Sequence, residues 1–168
     1  MKIQQLLTSA GGNFARPTKF NVMVNPPGDT SGPIMDILCK SVTLPEISHE
    51  PIELTYKGHK IKVPGRTNQA QTITLVFYVD EFYNNRNIFE SWMNNLDEHY
   101  YVQNGFVQTP PKLGTISLSS VDYFEKGNVE THHFENVYPV SIGDLEYSSS
   151  DKDTILELSV TFAYYRSI

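Results

Sequence analysis

The 168-residue chain has one cysteine, Cys39, so no disulfide can form within it. It is also short of charge. Asp, Glu, Lys and Arg make up 19% of the residues, against roughly 25% in an average soluble domain. Cations are the scarcer sign, with 13 Lys and Arg against 19 Asp and Glu and a formal net charge of −6. That balance argues against a sequence-reading DNA binder, which needs a basic stripe to neutralise phosphates. No apolar run approaches the roughly 20 residues of a membrane-spanning helix. The segment Met1-Lys2-Ile3-Gln4-Gln5-Leu6-Leu7 lacks the apolar stretch of a secretory signal, and no Asn-x-Ser/Thr site occurs, so folding in a reducing cytoplasm is the expectation.

Catalytic signatures are equally scarce. Gly58 and Gly65 are not followed by Gly-Lys-Ser/Thr, and neither G-x-G-x-x-G nor G-x-S-x-G occurs. A lone cysteine cannot build a zinc ribbon. His132 and His133 are adjacent, and neighbouring side chains of a strand point to opposite faces, which prevents easy chelation of one metal. His49, His59 and His99 have no nearby ligand spacing, and the carboxylate pairs Asp80-Glu81 and Asp97-Glu98 read as helix ends. The expectation is a protein that is not an enzyme, with no catalytic residue, cofactor or metal.

What the chain has is a core-building fraction of 39% apolar residues, ten Tyr, nine Phe, and 45 Ser, Thr, Asn and Gln. One domain spanning 1–168 is expected, burying roughly 70% of the unfolded chain's surface. Cys39, in the run Ile37-Leu38-Cys39, suits a buried, inert position. Residues 1–18 read as an N-terminal arm without strict periodicity. Phe20, Val22 and Val24 then alternate as a strand, breakers follow over Asn25–Pro33, and Ile34–Val42 reads as the returning strand. Residues 46–68 read as an extended, exposed hairpin, in which Ile52, Leu54 and Tyr56 alternate before the Lys57-Gly58 turn and Ile61 and Val63 alternate after it.

Gln71–Val79 reads as a central strand. One helix follows, capped by Asp80 or Asn84, with Ile88, Phe89, Trp92, Met93 and Leu96 on its apolar stripe and Arg86, Glu90, Asn94 and Asn95 opposite. After breakers at Gln103-Asn104-Gly105 and Pro110-Pro111, strands are expected at Thr115–Phe124, Val129–Tyr138 and Thr154–Tyr165, with turns at Lys126-Gly127-Asn128 and Ser148–Asp151. Hairpin connections imply antiparallel pairing. The fold class is mainly β (α+β), two packed antiparallel sheets forming a small β-barrel or sandwich with one flanking α-helix.

Charge is unevenly placed. Lys57, Lys60, Lys62 and Arg66, with His59 among them, fall in one ten-residue window without an acid. Asp144, Glu146, Asp151, Asp153 and Glu157 fall in another, opposed only by Lys152. Either these are two solvated segments, or one copy's basic hairpin meets another copy's acidic segment. The second contact is heterologous and generates rings or stacks, with charge setting register.

Three stretches carry a resemblance to the tail tube proteins of contractile-tailed bacteriophages. They are Phe14-Ala15-Arg16-Pro17 with Phe20-Asn21-Val22; Cys39-Lys40-Ser41-Val42-Thr43-Leu44-Pro45; and Tyr56–Arg66 followed by the Thr-rich strand Thr72–Val79, an acidic turn and the helix with Phe89 and Trp92. Their order and spacing extend the resemblance over nearly the whole chain, although the Asn25–Pro33 turn is longer and richer in proline and the C-terminal third agrees only in pattern. The resemblance implies hexameric rings stacked as the inner tube of a contractile tail, a virion component through which genome and tape-measure protein pass without specific binding. Tail sheath, baseplate and tail-terminator proteins are the implied partners, and the type VI secretion needle protein is a structural relative. It implies that residues 46–68 bridge rings. It also gives the C-terminal acids a role, lining a lumen that must not bind phosphate. A baseplate or tube-initiating protein shares the fold, and a monomeric β-barrel holding a small ligand among its aromatics is the alternative from another class.

Overall fold

In the computed structural model, which describes residues 3–10, 14–28, 34–35, 38–100, 113–122, 124, 126–150 and 153–168, ten strands and two helices are defined. They are α1 (Ile3–Ser9), β1 (Phe20–Asn25), β2 (Ile34–Met35), β3 (Cys39–Thr43), β4 (Ile47–Tyr56), β5 (His59–Gln69), β6 (Thr72–Tyr78), α2 (Asn84–Tyr100), β7 (Gly114–Val121), β8 (Asn128–Ile142), β9 (Glu157–Ala163) and β10 (Arg166–Ser167). Alternation places Ile73, Leu75 and Phe77 of β6 and Leu158, Val160 and Phe162 of β9 in the core, each at most 1% exposed.

Seven strands form one antiparallel path, β2-β1-β7-β8-β9-β6-β3, with β10 on β8. The path turns a corner inside β8. Up to Val137 this strand pairs with β7, and from Tyr138 onward it pairs with β9. Asn136 is skipped in the β7 register and has φ 55°, a left-handed conformation that asparagine tolerates better than most residues. One long strand thus serves two sheets, as at the corners of barrels and orthogonal sandwiches. Met35 ends one extremity of the path and Cys39 begins the other, so at most about 14 Å of chain separates them. The sheet curls nearly onto itself.

Aromatic side chains fill the interior ring against ring. Phe77 and Phe89 have centroids 5.3 Å apart, Phe89 and Phe162 5.7 Å, Trp92 and Phe162 5.9 Å, and Phe134 and Tyr164 4.9 Å. Helix α2 closes the space between the two sheet halves, since Phe89 rests on β6 and β9 while the Trp92 ring lies over Gly114 of β7. These rings occupy the space that a ligand-binding barrel leaves open. Cys39 is buried.

Four expectations need correction. The single strand over Ile34–Val42 is two strands: β2 pairs with β1, and β3 pairs with β6 at the opposite extremity of the path. A continuous alternation cannot reveal a change of pairing partner. The strand expected to end at Tyr138 runs to Ile142 because the bulges at Asn136 and Val140 let it continue round the corner. β7 ends at Val121, short of Phe124, which is exposed. The arm contains the short helix α1. Of the breakers, Asp29–Pro33, Gln103-Asn104-Gly105 and Pro110-Pro111 lie outside the described residues.

Gly114 is the tightest joint. A methyl group there would collide with the Asn25 carbonyl and lie 2.7 Å from the Trp92 ring, so backbone and indole would both have to move. Gly114→Ala is expected to cost about 1–3 kcal/mol, read as a lower denaturant midpoint at unchanged m-value.

Candidate assembly surfaces

β4 and β5 form a separate two-stranded ribbon inserted between β3 and β6. The Lys57-Gly58 turn has φ values of 49° and 81°, positive at both central positions as a two-residue type I′ hairpin requires. At the strand rise of about 3.3 Å per residue the ribbon extends roughly 30 Å. Glycine is obligatory at residue 65, where a Cβ would strike the Glu50 carbonyl at the register shift between His49 and Pro51.

Register assigns the faces. Glu53 lies across from Lys62 and Thr55 from Lys60, while Ile52 pairs with Val63, Leu54 with Ile61 and Tyr56 with His59. Opposed residues share a face and successive ones alternate, so one face is polar and the other apolar. The basic window is therefore less basic in three dimensions than in sequence: Lys62 Nζ is 3.6 Å from Glu53, supplied by the other strand. Lys57 Nζ sits 5.4 Å from the Tyr56 ring centroid. The apolar face lies open, with Ile52 52%, Leu54 51%, Tyr56 63% and Ile61 47% exposed. Lys57, His59, Lys60, Lys62 and Arg66 are all exposed.

The ribbon's base is pinned. The Ala70 amide donates to the Glu46 carbonyl at 3.4 Å, and the Gln69 side-chain amide donates to Ser167 Oγ at 2.7 Å. The hydroxyl of Tyr164, itself buried, donates to the Ala70 carbonyl. Burial holds that phenol above its ordinary pKa, against a weaker opposing hydrogen bond from Gln69.

The acidic segment lies at the other end of the body. β9 runs antiparallel to β6 with Glu157 opposite Tyr78 and Ala163 opposite Thr72. Gly143, bonded to the Ser159 carbonyl, and Leu156, whose carbonyl accepts from the Val79 amide, therefore meet the sheet at the C-terminal end of β6, about 20 Å of strand from where the ribbon leaves at its N-terminal end. Asp144, Glu146 and Asp153 are exposed there, and Asp151 lies outside the described residues. Glu157 does not stand free. Its carboxylate is 2.5 Å from Lys40 Nζ, a bond between β9 and β3 across β6, and this hydrogen bond raises the Lys40 pKa. The expected set of five acids is thus divided, because Glu157 points along the sheet surface toward a cation that sequence spacing does not reveal.

The start of α2 completes this end. Burial alone would raise the Asp80 pKa, but hydrogen bonds from the Asn85 and Asn84 backbone and the Asn84 side chain outweigh it and hold the carboxylate below its ordinary value. Asp80 thus does the capping, and Asn84 donates to it at 2.9 Å. Arg86, expected on the solvated face, is partly buried: Nε donates to Glu90 at 2.7 Å and a terminal nitrogen to the Gly143 carbonyl at 3.4 Å, strapping helix to loop. Tyr147 donates to the Tyr83 hydroxyl at 3.3 Å, and Tyr83 has φ 57°. Tyr83, Arg86, Asn87, Glu90, Asp144, Leu145 and Tyr147 line a surface groove of about 600 Å³. Sequence reading gave Tyr83, Tyr147 and Tyr164 no contact role, and it read the alternation of Ile52, Leu54 and Tyr56 as a hairpin without assigning the apolar face a use.

His132 and His133 diverge as expected, His132 Nε2 lying 3.5 Å from Glu130 and His133 Nδ1 3.0 Å from Ser117 Oγ. Among the described residues no three His, Cys, Asp or Glu side chains gather as a metal site, and no helix is long and apolar enough to cross a membrane.

A curled β-sheet body with a projecting ribbon at one end and an acidic, aromatic surface at the other defines a structural subunit whose distinctive features are surfaces. A family model described as phage tail tube protein matches residues 15–168, and the chain belongs to that family of structural, non-enzymatic tube proteins. Comparison with curated protein sequences gives no match. Solved structures share the fold. A chain from the anti-feeding prophage baseplate aligns with TM-score 0.67 at 11% identity, covering 93% of this chain and 95% of that one. A chain from the sheath/tube terminator of an extracellular contractile injection system, PVC, aligns with TM-score 0.65 at 21% identity over 93% and 96%. One from the extended PVC sheath–tube complex gives 0.63 at 20% identity over 100% and 97%.

Asp80 carries a pH signature. Its depressed pKa adds stability above the ordinary aspartate value of 3.8, and this contribution disappears as pH falls through the lower folded value. The stability of the wild type relative to Asp80→Asn should therefore shrink between about pH 5 and pH 3, as measured by urea unfolding at each pH. Asp80→Ala should cost about 0.5–2 kcal/mol at neutral pH.

Proposed function

We propose that this chain assembles into hexameric rings stacked head to tail as the inner tube of a contractile phage tail, the conduit for genome ejection. The carrying observation is the ribbon. Two strands without a third are at best marginally stable in water, yet this one extends roughly 30 Å from a well-packed body with its apolar face open. Such a face fits cover by another subunit. Departure of the ribbon from one end, with acidic and aromatic groups at the other, fits a heterologous contact, which propagates rather than closing as a dimer.

Membership of the tube family supports the tail as the site of action, with synthesis in the host cytoplasm, and sheath, baseplate and terminator proteins as partners. Tape-measure protein and DNA pass through the lumen without specific binding. The excess of acids after residue 99, nine against four basic residues, suits a conduit that must not hold phosphate.

Purified protein should form rings or tubes by negative-stain microscopy. Replacing residues 49–67 by Asn-Gly, which closes the ribbon at the Ser48–Asn68 pair, should leave the body folded with its cooperative unfolding intact and abolish stacking. Tubes formed normally by the shortened protein would overturn the connector role. Rings that never stack from wild-type protein would identify a tube-initiating subunit instead.

A further inference from the structure

We infer that the apolar face of the ribbon seats in the groove between the start of α2 and residues 143–147 of a second copy of this chain. The inference rests on the head-to-tail reading and names the contact that reading leaves open. The ribbon leaves from the end of β6 opposite this groove, and its apolar residues stand exposed rather than seated in the groove of their own chain, so a second copy is the natural source of the complementary surface. Its length of roughly 30 Å exceeds the roughly 20 Å of β6, enough to reach past a subunit boundary.

The two surfaces match in chemistry. The ribbon presents Ile52, Leu54, Tyr56 and Ile61, each about half exposed or more. The groove, otherwise lined by Arg86, Asn87, Glu90 and Asp144, presents a strip of Tyr83, Leu145 and Tyr147, the last 71% exposed, and Phe82, next to Tyr83 in the chain, is 77% exposed. Exposed aromatic groups of this kind anchor protein interfaces because they bury much area at little entropic cost. Charge supplies direction. Arg86 inside the groove is already matched by Glu90, leaving Asp144 and the neighbouring Glu146 as the local excess. Lys57 arrives at the ribbon's tip, and its ammonium group is free to exchange the Tyr56 ring for those carboxylates. Apolar area holds the contact and charge fixes which end docks. Lys60 and Lys62 lie on the other face, so they stand outside this seat.

Full-length protein carrying Leu54→Cys with Tyr147→Cys tests the seat, Cys39 being buried. Mild oxidation should give a ladder of intermolecular disulfides, whereas Lys60→Cys with Tyr147→Cys, from the opposite face, should give at least about tenfold less product. Leu54→Asp should raise the concentration needed for stacking at least about tenfold, while the cooperative unfolding of the body is unchanged. Lys57→Glu should weaken stacking, and Asp144→Lys added to it should restore it. Tubes from the double-cysteine protein without a ladder, or equal ladders from both pairs, overturn the seat and leave the tube assignment standing. Wild-type protein that stays monomeric at every concentration, together with no ladder from the double-cysteine protein, overturns both.

Discussion

Everything in this molecule depends on how β8 turns its corner. The strand must leave one sheet and enter the other without losing its ladder, and it does so by letting Asn136 adopt φ 55° outside the β7 register. With β8 shared, β7 and β9 are held on either side of one continuous strand, and the core positions of both sheet halves face the same interior. That interior is narrow enough for single aromatic layers. Phe77, Phe89, Phe134 and Phe162 fill it with rings 4.9–5.9 Å from their aromatic neighbours, and α2 is held by the same contacts that seal the gap. A corner opened by a few degrees would separate Trp92 from Gly114, where there is no spare volume.

This body gives the ribbon something rigid to project from. β4 and β5 gain almost nothing from the core, so their direction is set at the base, by Tyr164 and Ser167 bonding to Ala70 and Gln69. Those two anchors belong to the chain's last residues, and the ribbon to its first half. The apolar interior thus ends where the ribbon begins, and Tyr164, edge to face with Phe134 inside and bonded to the ribbon's base outside, belongs to both.

The low charge of the chain fits this division of labour. In the proposed tube much of the surface is covered by copies of the same chain, and charge removed from water without a partner is costly. Among the described residues Lys40 pairs with Glu157, Lys62 with Glu53 and Arg86 with Glu90, while Lys57 stands exposed at the ribbon's tip and Asp144 at the other end of the body. The chain belongs to the phage tail tube family and shares its fold with chains of contractile injection systems.

Local pattern was enough for much of this. Period-two alternation marked β1, β6 and β9, helical spacing of Ile88, Phe89 and Trp92 marked α2, and Lys57-Gly58 marked the turn of the ribbon, because each of these signals lies within a few residues of chain. The shortage of cations argued against a DNA reader and the missing catalytic signatures against an enzyme, while the structural role followed from the resemblance to tail tube proteins. Tertiary structure alone decided the split of Ile34–Val42 between two sheets, the passage of β8 round its corner, the pairing of Glu157 with Lys40, and the placing of basic and acidic segments at opposite ends. Each of these is a pairing between residues far apart in the chain, 117 positions in the case of Lys40 and Glu157. Alternation states that a residue has a buried face and a neighbouring strand, but not which strand, because every antiparallel partner satisfies the same period.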